Sequence, residues 1–173
     1  MKSPFLFAVA AAALSVGGCS TMSAGTEMAG DMTPEAARPY VELAGASDMF
    51  EIESSRLALT RSQNTDVRQF AQMMIDHHTQ TTAQLTSAAR AAGITPQPKL
   101  LPMQLRMMEA LRQGSASAFD RLYMEQQVSA HEMALALHRN YANSGDNAAL
   151  RAVASAATPI VTQHLARARQ LDT

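Results

Sequence analysis

Tryptophan is absent from this sequence, cysteine occurs once, aromatic residues make up 5% of it and charged residues 17%. One cysteine makes no intramolecular disulfide, and without a Cys-x-x-Cys pair there is neither a thiolate zinc site nor a dithiol redox couple. Lys and Arg number 14 against 15 Asp and Glu, a formal net charge of -1. No basic face is available to neutralise a row of phosphates, so nucleic acid is not an expected partner. The chain also lacks a Gly-x-Ser-x-Gly elbow, a phosphate-binding glycine loop and a His-Glu-x-x-His pair, which leaves no enzyme class suggested. Strand-like alternation is missing and β-branched residues are few, so the secondary structure is expected to be helical throughout. What the sequence does hold in quantity is methionine, 12 residues, with five histidines, in 173 residues that suffice for one domain with a real core.

The amino terminus accounts for the lone cysteine. Lys2 is followed by the apolar run Phe5 to Leu14 and then by Ser15-Val16-Gly17-Gly18-Cys19. Such a run is too short to span a bilayer as a stable helix and reads as a secretory signal. Val16-Gly17-Gly18-Cys19 resembles the bacterial lipobox, which implies cleavage before Cys19, a thioether-linked diacylglycerol on its sulfur and acylation of the new amine. Several acyl chains anchor a protein stably where one does not. Ser20 after the cysteine, by the same kind of resemblance, disfavours retention on the inner membrane. The expectation is an exported lipoprotein on the periplasmic face of the outer membrane, its one foreseeable partner being the membrane itself. Residues 1–18 form the signal, residues 19–38 the lipidated Cys19 and a flexible tether, and residues 39–173 the domain. Met22, Met28 and Met32 lie in the tether, where thioethers suit Cu(I) but a mobile segment preorganises nothing.

Helix signals divide the domain into an all-α, ferritin-like up-down four-helix bundle with a long middle connection. The first helix is expected from Pro39 to Gln63. The second opens at Asn64-Thr65-Asp66 and stops at Gly93, a residue suited to a left-handed helix end. Pro96, Pro98 and Pro102 punctuate the connection, which carries one short helix, Met103 to Arg112. Ser117, with Asp120 three residues on, forms a capping-box pattern for the next long helix, which ends near Asn143-Ser144-Gly145. Asp146 is expected to cap a last helix reaching Leu171, with Pro159 inside it.

At about 100° per residue, His78 falls in the middle of the face shared by Val67, Phe70, Ala71, Met74, Thr81 and Leu85. His77 lies at the edge of that stripe, near Met73 and Phe70. His164 falls within the stripe of Val153, Ala157, Ala168 and Leu171. His78 and His164 should therefore face the interior, where each imidazole needs partners for both nitrogens. Gln127, His131 and His138 flank the face of Phe119, Leu122, Ala130, Met133 and Leu137; His131 is expected at the boundary and His138 in solvent. Met73 with His77, and Met74 with His78, are spaced i,i+4 and so are neighbours on a helix. Imidazole with thioether suits copper, particularly Cu(I).

Several spaced pieces resemble a bacterial exported family of unknown function, domain-of-unknown-function family 4142, placed in the ferritin-like group. They are Glu51-Ile52 with Leu57-Ala58, Val67-Arg68, Phe70-Ala71, Met74-Ile75 and His78, then Phe119-Asp120, Tyr123, Gln127-Val128, His131, and Pro159 with His164-Leu165. The family pattern usually has Asp where this chain has His77. That departure is similar to the Met-Ile-x-His-His segment of another exported four-helix family, which includes periplasmic copper-handling proteins.

A di-iron oxidase, which the fold invites, needs a Glu-x-x-His pair on each of two helices. The residues three before His77, His78, His131, His138 and His164 are Met74, Ile75, Val128, Leu135 and Val161. None is acidic, so ferroxidase and oxygenase chemistry is not expected, nor any other catalysis. On the first helix the resemblance favours Glu51, although Glu53 lies closer to the stripe of Leu43, Phe50 and Leu57. Two readings remain. The first is a non-catalytic structural or interaction lipoprotein with a buried polar network of histidines, Tyr123 and Asp120. The alternative is a copper-leaning transition-metal module with ligands from His77, His78, His131 and His164, supported by Glu51 and Met74.

Overall fold

A computed structural model describes residues 34–172. The signal, Cys19 and the tether methionines lie outside the described residues. Within them the chain forms five helices and no strand: α1 (Ala37–Arg61), α2 (Thr65–Ala91), α3 (Pro102–Gln113), α4 (Ala116–Ser144) and α5 (Ala148–Leu171). The all-α bundle expected from the sequence is therefore present, with a short α3 in the middle connection.

Most boundaries follow from their caps. The Asn64 side chain accepts from the backbone N–H groups of Asp66 and Val67 and opens α2. Gly93, with φ 72°, follows its end in the left-handed conformation that glycine adopts without strain. Pro102 begins α3, where a missing N–H costs nothing, and the Gln104 side chain accepts from the Leu101 N–H. Two expected caps are corrected. Helix α4 begins at Ala116 with Ser115 in the capping position, so Ser117 is already helical, and Asp120 has no capping bond to make. At α5 the cap is Asn147, which accepts from the Leu150 N–H, while Asp146 accepts from the Tyr141 hydroxyl at 3.0 Å.

Helix α1 packs against α2 and α4, and α5 packs against α2 and α4, so the four long helices close a ring. Their directions can be read from cross-helix bonds. Ser55 meets Tyr123 and Tyr40 meets His138, so α4 runs antiparallel to α1, and Val41 clusters with Leu85 at one end and Ala58 with Val67 at the other, so α2 does too, which makes α2 and α4 parallel to each other. Each short hairpin is up-down, and the connection through α3 must return along the bundle between them, as in bundles with one long crossover. Arg61 ties that crossover down. Its guanidinium donates to the carbonyls of Leu111, Arg112 and Gly114 and lies 4.7 Å above the Phe119 ring.

The interior is segmented. One apolar cluster, including Phe50, Phe70, Met74, Met108, Leu111 and Phe119, fills one end. A second, including Tyr40, Val41, Leu85, Leu137, Tyr141 and Leu150, fills the other. Every long helix contributes buried ionisable residues where these two sets meet: Asp48 and Glu51 on α1, His78 on α2, His131 on α4 and His164 on α5. A polar layer therefore crosses the middle of the bundle.

Candidate metal centre

Each of the four long helices contributes to the polar layer, because the 3.6-residue period places these positions on the same faces as the flanking apolar residues. His78, His131 and His164 are 4%, 0% and 2% exposed. Their ring centroids lie 5.7 Å (His78 to His131), 5.4 Å (His78 to His164) and 5.4 Å (His131 to His164) apart. One nitrogen from each ring can be chosen so that the three atoms lie within 4.8 Å of one another. An ion among three such atoms would stand at most about 2.8 Å from each, so contraction of under 1 Å per ring reaches the ~2.0 Å of a metal–nitrogen bond.

Each ring is held by one nitrogen and leaves the other without a partner. His78 donates from Nδ1 to Asp48 Oδ1 at 2.8 Å, and His131 from Nδ1 to the Gln127 carbonyl at 2.8 Å. His164 Nε2 is 2.8 Å from His77 Nδ1. The atoms left over are His78 Nε2, His131 Nε2 and His164 Nδ1. This is how metal-ligating histidines are oriented, with a carboxylate, a carbonyl or another polar group fixing the tautomer and the ring from behind. Asp48 is itself anchored, accepting from the Thr81 and Thr82 hydroxyls at 3.0 Å each.

Glu51 completes the layer. Its side chain is 1% exposed, one oxygen is 3.6 Å from His131 Nδ1, beyond hydrogen-bonding range, and neither oxygen has a partner. Burial lowers the basicity of His131, with the His78 ring adding to this and Glu51 opposing it. Burial, then the neighbouring His131, His78 and His77 rings, holds His164 down to about 2. His131 and His164 are thus neutral at ordinary pH and free to act as ligands. For His78, burial pushes downward but is outweighed by the Asp48 hydrogen bond and the Asp48 and Glu51 charges, and its pKa is raised.

The expected site residues divide as follows. His78, His131, His164 and Glu51 come together in the polar layer. His131 is central and fully buried, a correction to its expected boundary position, because α4 is enclosed by α1 and α5. His77 is exposed and reaches the layer through its bond to His164. Met74 packs in the apolar cluster with Phe50 and Phe70. Tyr123 bonds the Ser55 hydroxyl at 2.7 Å instead of a histidine, and its pKa is pushed up by burial, with the Ser55 bond opposing and Glu51 adding. Asp120 lies outside the layer, and one of its oxygens is buried without a partner. His138, expected in solvent, is buried, 3.1 Å from the Tyr40 hydroxyl; Tyr40 stacks on Tyr141 and closes that end of the bundle. Asp48 was not foreseen. The available signal was its position one turn before Glu51, which puts two carboxylates on one helix face.

The family model described as Domain of unknown function (DUF4142) matches residues 21–171. The chain belongs to this family. No curated protein matches it. Among solved structures it is similar to a DUF305 fragment from Deinococcus radiodurans, at 16% identity and a TM-score of 0.69, covering 80% of this chain and 95% of that one. It is also similar to CopM in a Cu(II)-bound form, at 15% identity and a TM-score of 0.65, covering 79% and 96%. CopM in a Cu(I)-bound form gives 12% identity and a TM-score of 0.65, covering 78% and 94%. At these identities the likeness is one of fold.

Proposed function

We propose that this domain is a non-catalytic module that binds one divalent transition-metal ion, copper foremost, at His78, His131 and His164. The observation that carries the reading is the pattern of partners: three buried imidazoles with a nitrogen of each within 4.8 Å of the others, each ring tethered through one nitrogen and each with its other nitrogen unpartnered. A polar network that served only to fix helix packing would be satisfied throughout, since an unpartnered buried polar atom costs about 1–3 kcal/mol. Here three ring nitrogens and both Glu51 oxygens are left over in one layer. Five such atoms are better explained by a ligand than by a framework.

Charge selects among ions. Asp48 and Glu51 are the two buried carboxylates of the layer, so a divalent ion beside neutral imidazoles leaves it near neutral, whereas a monovalent ion leaves a buried negative charge. Imidazole donors suit copper and zinc over magnesium or calcium. The structures of CopM with copper bound support copper in this reading through a shared fold.

Titration of the metal-free protein with Cu(II), Zn(II) and Co(II) tests the reading. One equivalent should bind, with a rise in Tm; ligand at 100 times Kd adds about 2.7 kcal/mol. His78→Ala and His164→Ala should each abolish it, and uptake that is absent, or indifferent to both changes, removes the proposal. The reading extends to location through the sequence around Cys19. Cys19→Ser should release the protein from the membrane fraction, and a Cys19→Ser chain that stays there removes the anchor.

A further inference from the structure

The metal centre has one side close to solvent. Between α2 and α5 lies an open cleft of about 360 Å³, whose lining includes Phe70, Met73, His77, Gln163 and His164. His77 is exposed and Met73 half-buried, and their i,i+4 spacing makes them neighbours on α2. His164 belongs to both places. Its Nε2 meets His77 Nδ1 at 2.8 Å in the cleft, the two rings nearly parallel at 19° with centroids 5.0 Å apart, and its Nδ1 is buried and unpartnered. An exposed histidine has water for a partner, so folding gains little from pinning His77 to this ring. A thioether and an imidazole at the mouth, with a second imidazole as the floor, instead form a donor set for a soft or borderline metal ion.

We propose that Met73 and His77 form a capture site at which a late transition-metal ion is first bound from solvent, with His164 as the ligand through which it passes to His78 and His131. The proposal rests on the reading of the buried triad as a metal centre. An ion held by His77 and Met73 would take His164 Nε2 in place of the His77–His164 hydrogen bond, and a turn of the His164 ring would carry it, still held by that nitrogen, from the outer donors towards His78 and His131. At no point does it shed all its donors together, which is what makes direct passage from water into a closed site slow. Thioether sulfur restricts the first step towards copper and silver and away from hard cations.

His77 also orients His164 from behind through the same hydrogen bond, and kinetics separates that role from capture. A capture site lies on the path in both directions, so its loss lowers association and dissociation rate constants equally and leaves Kd unchanged. A positioning partner alters Kd, by about 10–100-fold for such groups, through dissociation. His77→Gln keeps a hydrogen-bonding side chain beside His164 but removes the imidazole. Stopped-flow loading of the full chain with Cu(II) should be about tenfold slower for His77→Gln, and chelator-driven release slower by the same factor; His77→Ala, which also removes the orienting bond, should load as slowly but release faster than His77→Gln. Met73→Leu should slow loading with Cu(II) and leave loading with Co(II) unchanged. Unchanged loading rates in both His77 variants, or a Kd shift carried by dissociation alone, overturn the capture site while the triad stands. Stoichiometric binding that survives His78→Ala removes the triad itself, a different outcome from either.

Discussion

Asp48 on α1 accepts the Nδ1 proton of His78 on α2 at 2.8 Å, and two threonine hydroxyls from the next turn of α2 hold the same carboxylate in place. The bond directs the other nitrogen of His78 into the polar layer and makes the imidazole a stronger donor. Asp48→Asn should therefore keep the fold and the one-to-one stoichiometry yet weaken Cu(II) or Zn(II) binding by about 10–100-fold. Isothermal titration of the variant beside the parent protein checks this. An unchanged affinity would show that His78 needs no carboxylate behind it.

Glu51 gives a prediction of opposite signs in the two states. Without a metal, its carboxylate is buried with no partner on either oxygen, a condition that costs several kcal/mol for a charge and about 1–3 kcal/mol for a neutral polar group. Glu51→Gln keeps the shape and removes the charge. Denaturant unfolding should find the metal-free variant more stable by about 1–2 kcal/mol, while its affinity for a divalent ion falls. A variant that loses stability in the metal-free state would mean that Glu51 is paired within the fold itself.

Much of the bundle was legible from the residues because apolar spacing and caps are local. Asn64 with Gly93 bounds α2, three prolines mark the crossover, and His78 and His164 lie within apolar stripes. What could not be read depends on which helix covers which flank. His131 and His138 stand at the edge of the α4 stripe, and the neighbouring helices bury them, α1 through Tyr40 over His138 and α2 and α5 through His78 and His164 beside His131. Asp48 resembles any surface acid until α2 brings His78 and Thr81 to it. The Ser117 pattern misled because Ser115, two residues earlier, is equally able to start the helix, and Asp120 then fell inside it. The convergence of three rings is a tertiary fact that no single helix encodes.

Met74 tests a pairing that spacing alone suggested. It is one turn before His78, but its side chain is 0% exposed in the apolar cluster with Phe50, Phe70 and Phe119. Met74→Leu should leave Cu(II) and Cu(I) affinity at the parent value and cost less than about 1.5 kcal/mol, whereas Met74→Ala should cost about 2–5 kcal/mol through the cavity it leaves. A large loss of Cu(I) affinity in Met74→Leu would place its sulfur among the ligands instead.

Acidification should destabilise the metal-free protein, and His138 offers a clean measure of how much. Burial lowers its pKa from 6.5 to about 4, with the charge on Asp48 opposing and His78 adding to the shift. Its neutral ring is 3.1 Å from the Tyr40 hydroxyl. Between pH 6.5 and 4 the unfolded chain binds a proton at this residue that the folded chain does not, so stability is fullest above pH 6.5 and declines as the pH falls towards 4. A shift of this size corresponds to about 3 kcal/mol across the window. Urea unfolding of the metal-free protein at pH 7, 6 and 5 should show the decline, and His138→Asn, which removes the titrating group, should lower stability at pH 7 and flatten the slope. His164, depressed in the same direction, continues to titrate in that variant. Part of the decline should therefore persist, and a slope unchanged by His138→Asn would mean that His138 is not held neutral against Tyr40.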